Sequence, residues 1–242
     1  DAVAIELAKS IQAQLDRLAL RRADVLIAAS DHLAEELVEA GFSSSRIRVV
    51  PPGRDVAPFP QGPRPDLRRE RQVAFLTVAN WLPRKGILEL LEAFARLPAD
   101  AGTLHLAGDD AADTRYAARV RSRLALTDLT SRVIVHGPLA LEEVATLYRA
   151  ADVFVLPASR ESYGTVWGEA MAFGLPVVGW HAGNLPHLAE NRREGLLVEP
   201  GDMDALSKAL LDLALERDMR ARLGAAAKRR ALSRPTWDAS SA

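Results

Sequence analysis

Residues 152–180 read DVFVLPASRESYGTVWGEAMAFGLPVVGW, and this stretch decides the fold class. Within it, a short aliphatic strand, a polar loop, a helix of small residues and a second aliphatic strand follow one another. Strands without polar alternation are typical of parallel sheets, which helices cover on both faces. The segment therefore predicts a β–α–β unit of an α/β domain.

The alternation of short aliphatic runs with helical stretches continues over most of the chain. Apolar residues at helical spacing lie between several runs, as over Ile87–Phe94 and Leu141–Tyr148. We therefore predict a doubly wound, Rossmann-like parallel sheet. The predicted strands are residues 25–29, 47–50, 73–79, 104–107, 133–135, 153–156, 177–179 and 196–198.

A proline-rich segment interrupts this pattern between Pro51 and Pro65. It contains six of the 14 prolines, and because proline fixes φ and has no N–H to donate, a linker is predicted. The two strands before it are too few for a stable sheet, which indicates the remnant of another Rossmann-like domain. The predicted boundaries are 1–50 for the remnant, 51–70 for the linker, 71–234 for the main domain and 235–242 for the start of a last helix.

Composition excludes several classes of protein. The 242-residue chain has a net charge of −1, so no general attraction to nucleic acid or anionic lipid is expected. It contains no cysteine, which agrees with a reducing compartment, and no apolar run approaches the ~18 residues of a membrane span. Because the chain begins with Asp1 rather than methionine, we interpret it as a piece of a longer protein.

Two carboxylates, Glu161 and Glu169, flank the start of the predicted helix in the opening segment, with seven residues between them. Gly164 and Thr165 open this helix, where unpaired backbone N–H groups and the helix dipole favour an anion such as phosphate. Carboxylates beside such a site are acceptors for the hydroxyl groups of the attached molecule. The alternative is a surface carboxylate at Glu161 and a carboxylate at Glu169 that only stabilises the helix.

The loop NWLPRKG, residues 80–86, follows the first strand of the main domain. Ligands of open α/β sheets bind at the carboxyl ends of strands, where this loop is expected. Lys85 has an ammonium group for a diphosphate, and Gly86 allows a tight turn into the next helix. On its own, a basic pair such as Arg84 and Lys85 is more often part of a solvated loop.

Two further strand ends carry weaker signals. His136 and Gly137 follow the strand at 133–135, where their backbone could receive the edge of a nucleobase, although a lone histidine is more often structural. In the loop 179–186, Gly183 and Asn184 suit a left-handed turn, and the loop either covers the phosphate site or is an ordinary connection. The histidines show no metal-ligand spacing, and the sequence has no P-loop or Ser/His/Asp signature, so no metal is expected.

These motifs together resemble the donor-binding domain of the retaining, nucleotide-sugar-dependent glycosyltransferases of family 4, which have the GT-B fold. The family's E-x7-E element reads Glu161 to Glu169 here, and the match continues through EAMAFGLPVVGWHAGNLPHL and EGLLVEPGD. The loop NWLPRKG is similar to the family's early basic loop, and PTWD to the start of its final crossover helix. The resemblance covers about residues 24–238.

The resemblance implies a role for each matching position. Lys85 would contact the donor diphosphate, Glu161 the hydroxyls of the transferred sugar, and Glu169 the ribose hydroxyls. Residues 164–166 would offer backbone N–H groups to the phosphate or sugar. No cofactor is implied, because the nucleotide sugar is a co-substrate. No metal is implied either, because Lys85 and the amino end of the helix would stabilise the departing diphosphate. The expected catalytic residues are Glu161 and Lys85, and the expected donor-binding residues are Asn80, Arg84, Lys85, Gly86, His136, Gly137, Glu161, Tyr163, Gly164, Thr165, Val166 and Glu169.

Three positions depart from the family pattern. Asn80 stands where arginine usually contacts the diphosphate, Tyr163 where phenylalanine is common, and Ala79 where glycine is usual. Asparagine does not replace a bidentate cation, so stabilisation of the leaving group is either weaker or supplied by Arg84.

Three functions are compatible with these residues. The resemblance favours a fragment of a retaining sugar transferase that binds the donor and is inactive alone. The alternatives are a nucleotide-sugar-binding module without catalysis and a GT-B-type sugar-nucleotide epimerase, against which the match through EAMAFGLPVV argues. The expected partners are a nucleotide-sugar donor and an acceptor that is a glycan, a lipid or a small molecule, but not nucleic acid. The expected location is the cytoplasm, and the family suggests peripheral association of the parent protein with the inner face of the cell membrane.

Overall fold

The structure is a computed structural model that describes residues 18–52, 62–235 and 240. Its contacts divide the chain into two compact units, Asp1–Pro52 and Gly53–Ala242.

Parts of three predicted segments lie outside the described residues. They are residues 1–17 of the remnant, 53–61 of the linker and, apart from residues 235 and 240, the start of the last helix. The four predicted boundaries therefore stay predictions.

The first unit has an α-helix beside two parallel strands. Ser30 caps the helix, because its hydroxyl accepts a hydrogen bond from the N–H of Leu33. Leu26 pairs with Ile47, and both side chains are buried. The elements are Leu26–Ala28 (β1), Asp31–Glu39 (α1), a 3-10 turn at Ser44–Arg46 and Ile47–Val49 (β2).

The second unit contains a six-stranded sheet in which every neighbouring pair of strands is parallel. The order of the strands is β5-β4-β3-β6-β7-β8, which confirms the predicted doubly wound sheet. All eight predicted strands are present, with ends within two residues of the predicted ones. The six strands are Val73–Val78 (β3), Gly102–Ala107 (β4), Val133–Gly137 (β5), Val153–Val155 (β6), Val177–Trp180 (β7) and Gly195–Val198 (β8).

Seven helices connect and follow these strands within the part of the second unit that the structure describes. None of the described helices is both long enough and apolar enough to cross a membrane. The helices are Ile87–Ala95 (α2), Thr114–Leu124 (α3), Leu141–Ala150 (α4), Thr165–Ala172 (α5), Leu185–Leu188 (α6), Met203–Leu215 (α7) and Arg217–Leu232 (α8).

Burial explains why aliphatic runs predict the strands of this sheet. Every residue of β4, β6 and β7 is buried, whereas β5 lies at the edge and is only half-buried. Polar residues enter the buried strands only with a partner, as hydroxyl groups do in protein interiors. Thr77 donates to the carbonyl oxygen of Val155 at 2.7 Å, and Thr103 to that of Leu67 at 2.6 Å.

The predicted apolar helix faces are found with one exception. The four apolar residues over Ile87–Phe94 in α2 are fully buried. In α4, Leu147 and Tyr148 are buried, but Leu141 is 86% exposed. Helical side chains tilt toward the amino end, so the side chain of this first helical residue projects beyond the helix.

His105 places an imidazole inside the sheet. It is buried in β4 and stacks on His136 of β5, with ring centroids 5.2 Å apart. Its Nε2 lies 2.8 Å from the carbonyl oxygen of Leu67, which can only accept, so Nε2 donates and Nδ1 accepts from Nε2 of His136 at 2.9 Å. Burial lowers the pKa of His105 to about 4, and it also lowers the pKa of His136.

We expect the free energy of unfolding to fall as the pH falls from about 6.5 to about 4. In this window the unfolded chain protonates His105 and the folded chain does not, so protons favour unfolding; above about pH 6.5 this contribution is constant. Between about pH 7 and about pH 5 the loss is about 2 kcal/mol. Urea unfolding at both pH values should show a smaller loss of unfolding free energy for His105→Gln. The control His181→Gln, which changes an exposed histidine, should show the same loss as the wild type. An unchanged loss in His105→Gln would contradict this assignment.

Candidate functional site

The candidate site lies where the strand order reverses. β3 and β6 are neighbours in the middle of the sheet, but the chain adds β4 and β5 on one side before it returns to β6. Loops that leave the carboxyl ends of two such strands diverge, and a crevice forms between them. These loops are residues 79–86 after β3 and 156–164 after β6, and they carry the predicted Lys85 and Glu161.

Lys85 and Glu161 contact each other across this crevice. The Lys85 ammonium group donates to Oε2 of Glu161, and Nη1 of Arg84 lies 3.8 Å from the same oxygen. The Lys85 and Glu161 side chains are 12% and 18% exposed, so solvent screens this ion pair less than a surface pair. Because an ammonium group has three N–H donors, Lys85 can keep Glu161 and also bind an oxygen of a ligand.

Backbone contacts hold the two loops together. The N–H of Ser159 donates to the carbonyl oxygen of Arg84 at 2.9 Å. A 3-10 turn, Pro83–Lys85, ends at Gly86, whose φ of +70° makes the tight turn into α2 that the sequence predicts. A Cβ at Gly86 would overlap the carbonyl oxygen of Pro157. Glycine is therefore required both by the backbone conformation and by the close approach of the second loop.

The amino end of α5 is only partly open to solvent, because the preceding Gly164 is buried. Gly164, with φ of +84°, precedes the helix, and no side chain caps it. Among the described residues, the backbone N–H groups of Thr165 and Val166 have no hydrogen-bond partner. Thr165 is exposed and Val166 is half-buried. Two orphan donors and the positive end of the helix dipole together favour an anion here.

Glu169, one turn into α5, is held by Tyr148 of α4. The Tyr148 hydroxyl lies 3.1 Å from Oε2 of Glu169 and 3.3 Å from the carbonyl oxygen of Val166, and it donates toward both acceptors. Tyr148 is buried and stacks on Phe173, with ring centroids 5.5 Å apart. The sequence pattern predicts Tyr148 only as part of the apolar face of α4. Its hydroxyl was a usable signal, because a buried tyrosine requires a hydrogen-bond partner.

The loop after β7 contacts and stabilises the loop 156–164, which carries Glu161. The N–H of Asn184 donates to the carbonyl oxygen of Glu161 at 2.9 Å, and its Nδ2 donates to that of Tyr163 at 2.6 Å. Gly183 has the predicted left-handed conformation, with φ of +56°, and a Cβ there would lie 2.9 Å from the same Glu161 oxygen. The left-handed prediction is wrong for Asn184, whose φ is −82° because it begins α6.

The remaining predicted residues lie farther along the same edge of the sheet. Oδ1 of Asn80 accepts from the N–H of Asp109, and the carbonyl oxygen of Gly137 accepts from the N–H of Gly108. Since neighbouring strands lie about 4.8 Å apart, the end of β5, with His136, is about 10 Å from β3 and about 14 Å from β6. A ligand that reaches all the predicted positions must therefore be elongated.

Comparison with known proteins assigns the chain to a family. Residues 62–230 match the family model described as glycosyl transferases group 1, and residues 4–58 match the model described as glycosyltransferase family 4. The chain belongs to the group 1 glycosyl transferases. The predicted resemblance is confirmed, and so is the GT-B architecture, which solved glycosyltransferases with matching folds share.

Two named relatives and two solved structures illustrate the similarity. D-inositol 3-phosphate glycosyltransferase of Corynebacterium jeikeium is 34% identical, over 90% of this chain and 55% of the relative. A GDP-mannose-dependent alpha-(1-6)-phosphatidylinositol monomannoside mannosyltransferase of Mycobacterium tuberculosis is 26% identical, over 89% and 59%. This chain therefore spans little more than half the length of these relatives. Anabaena HepE in complex with UDP-glucose superposes with a TM-score of 0.81 at 25% identity, over 93% of this chain and 63% of that one. Sucrose-phosphate synthase from Thermosynechococcus elongatus gives 0.80 at 29% identity, over 94% and 58%.

We expect Gly86→Ala to destabilise the second unit more than Gly201→Ala. Both glycines have positive φ, so each alanine costs about 1–2 kcal/mol of backbone strain. At Gly201 a Cβ would meet no atom within 4 Å, whereas at Gly86 it would overlap Pro157 and push the two loops apart. Urea unfolding should show a loss of about 3 kcal/mol or more for Gly86→Ala. Equal losses in the two variants would show that the loops do not depend on this close approach.

Proposed function

We propose that this chain is the donor-binding part of a retaining glycosyltransferase that acts without a metal ion or other cofactor. The observation that carries the proposal is the contact of Lys85 with Glu161, in the loop that leads into the uncapped amino end of α5, at the strand reversal. A cation, orphan N–H donors and a carboxylate lie together where an open α/β sheet binds its ligand. Membership of the group 1 glycosyl transferases supports the same function.

The donor diphosphate would lie between Lys85 and the N–H groups of Thr165 and Val166. In the reaction, the bond from the anomeric carbon to a diphosphate oxygen would break, and a bond to the oxygen of an acceptor hydroxyl would form on the same face of the sugar. The hydroxyl proton would pass to the departing diphosphate. Negative charge then grows on the departing nucleoside diphosphate. Fixed donors that already point at this charge stabilise the transition state without reorganisation. Arg84, whose Nη1 lies 3.8 Å from the same Glu161 carboxylate, would replace the cation that Asn80 does not provide.

The two carboxylates would each bind one of the two sugars of the donor. Glu161 would accept from hydroxyls of the transferred sugar near the reacting carbon, with Lys85 fixing its position. Glu169 would accept from the ribose hydroxyls, and Tyr148 holds its side chain in place. A nucleotide that extends from these groups toward the end of β5 would bring its base to the backbone of His136 and Gly137, about 10 Å from β3.

The relatives indicate which compounds to test first. HepE binds UDP-glucose, and the mycobacterial relative is named for its use of GDP-mannose, so uridine and guanosine diphosphate sugars are the first donors. The relatives' names give inositol phosphate and phosphatidylinositol mannoside as the first acceptors. We propose that the protein acts in the cytoplasm. If its acceptor is a lipid, we expect it to associate with the inner face of the cell membrane.

We expect the 242-residue chain to bind UDP or GDP, and Glu169→Gln to weaken this binding about tenfold or more. The variant removes a charged acceptor, whose hydrogen bonds contribute more than those of a neutral one. Calorimetry with both nucleotides measures the change. Glu39→Gln, an exposed acid in the first unit, is the matched control and should bind as the wild type does. No binding of either nucleotide to the wild-type chain would argue for an inert scaffold.

Glu161→Gln should mainly lower turnover. The variant is made in a longer protein that also contains the part of its relatives' sequence missing from this chain. There we expect Glu161→Gln to lower kcat about a hundredfold, with a small change in the KM for the donor. The assay measures acceptor-dependent release of nucleoside diphosphate, with Glu39→Gln as the control. Unchanged turnover in Glu161→Gln would remove its assigned role. Nucleotide binding without release for any donor and acceptor pair would favour the binding module instead.

A further inference from the structure

Another cavity, of about 300 Å³, lies at the opposite end of the strands from the proposed donor site. Asp152 and Pro176, which directly precede β6 and β7, form part of its wall. The first turns of α8 form another part through Arg217 and Arg220. The donor site lies at the carboxyl ends of the same strands, so a ligand in this cavity would not compete with the donor.

The lining of this cavity is strongly basic. Of its charged residues five are arginines and one is an acid, Asp152. Both oxygens of Asp152 are already used: Oδ1 accepts from Arg68 at 2.5 Å, and Oδ2 accepts from Arg68 and from the N–H of Ala74, each at 2.8 Å. This carboxylate therefore neutralises Arg68, and the described lining provides no second acid for Arg64, Arg217 or Arg220. The arginines are Arg64, Arg68, Arg149, Arg217 and Arg220.

Several guanidinium donors remain available. Among the described residues, the side chains of Arg64 and Arg217 have no hydrogen bond or ion pair, and both residues are exposed at the cavity. Arg68 binds Asp152 through Nε and Nη2, and Arg220 binds the carbonyl oxygens of Leu213 and Ala214 through Nη1 alone. Since a guanidinium group has five N–H donors, Arg68 retains Nη1 and Arg220 retains Nε and Nη2 for a ligand.

The positive charges also disfavour one another. Burial lowers the pKa of the Arg220 guanidinium, and Arg68 and Arg217 lower it further, although Asp152 acts in the opposite direction. A bound anion would relieve this repulsion. The arginines come from separate segments, namely residues 62–72, α4 and α8, so they approach the cavity from different directions.

We propose that this arginine cavity binds a dianionic phosphoryl group, such as a phosphate monoester. Guanidinium groups bind phosphate oxygens through paired, charge-assisted hydrogen bonds, and a tetrahedral phosphoryl group presents oxygens in several directions. A planar carboxylate accepts from fewer directions and carries half of this charge. The phosphoryl group has two possible sources, a soluble phosphate ester and the headgroup of a lipid such as phosphatidic acid.

The test measures binding of three probes to the 242-residue chain at constant ionic strength. They are inorganic phosphate, glycerol 3-phosphate and vesicles of equal parts phosphatidylcholine and phosphatidic acid, with pure phosphatidylcholine vesicles as the blank. The variant Arg64→Gln/Arg217→Gln removes two cations whose side chains make no hydrogen bond or ion pair among the described residues. The matched control, Arg115→Gln/Arg119→Gln, removes two exposed charges from α3, away from the cavity. The variant Lys85→Met changes the proposed donor site and tests whether the probes bind there instead of in the arginine cavity.

We expect at least one probe to bind the wild-type chain, and Arg64→Gln/Arg217→Gln to weaken that binding about tenfold. The control pair and Lys85→Met should bind within about twofold of the wild type, and urea unfolding should show that all variants remain folded. Binding of the soluble probes identifies a soluble ester as the ligand, and binding of the vesicles alone identifies the lipid headgroup. No binding of any probe, or an equal loss in the control pair, would overturn the proposal. Loss of phosphate binding in Lys85→Met alone would move the binding to the donor site.

Discussion

Between β3 and β6 the chain changes the side of the sheet to which it adds strands, and this reversal positions the proposed site. Because the helices that follow the two strands lead away in different directions, no connection fills the space above the strand ends. Two loops of irregular backbone border that space, and each must be held in one conformation. Gly86, at the end of the first loop, allows the second loop to pack directly against it.

Contacts between segments that are distant in the sequence fix the charged groups of the site. Lys85 and Glu161 belong to loops separated by six elements of secondary structure, and Asn184, which follows α5 and β7 in the chain, holds the second loop. Tyr148 reaches Glu169 from the preceding helix. Polar groups that are fixed before a ligand arrives lose little entropy on binding, which is the physical basis of electrostatic preorganisation.

The sequence predicts the sheet well because its central strands are buried on both faces, which requires nearly continuous aliphatic runs. Strand ends are predicted less well where burial is incomplete or a polar residue has a partner, as at His136 in the edge strand and at Thr103. Lys85 and Glu161 are predicted as site residues because they lie in the polar loops that follow two buried strands, where open α/β sheets bind ligands. Tyr148 and Asn184 are missed because their roles depend on partners that periodicity and local motifs do not encode.

The most direct test of the central claim is a crystal structure of the chain with whichever of UDP and GDP it binds. We expect an oxygen of the terminal phosphate about 3 Å from the backbone nitrogen of Thr165 or Val166, and ribose hydroxyls within about 3 Å of the Glu169 carboxylate. A diphosphate bound elsewhere, with the amino end of α5 facing only water, would contradict it.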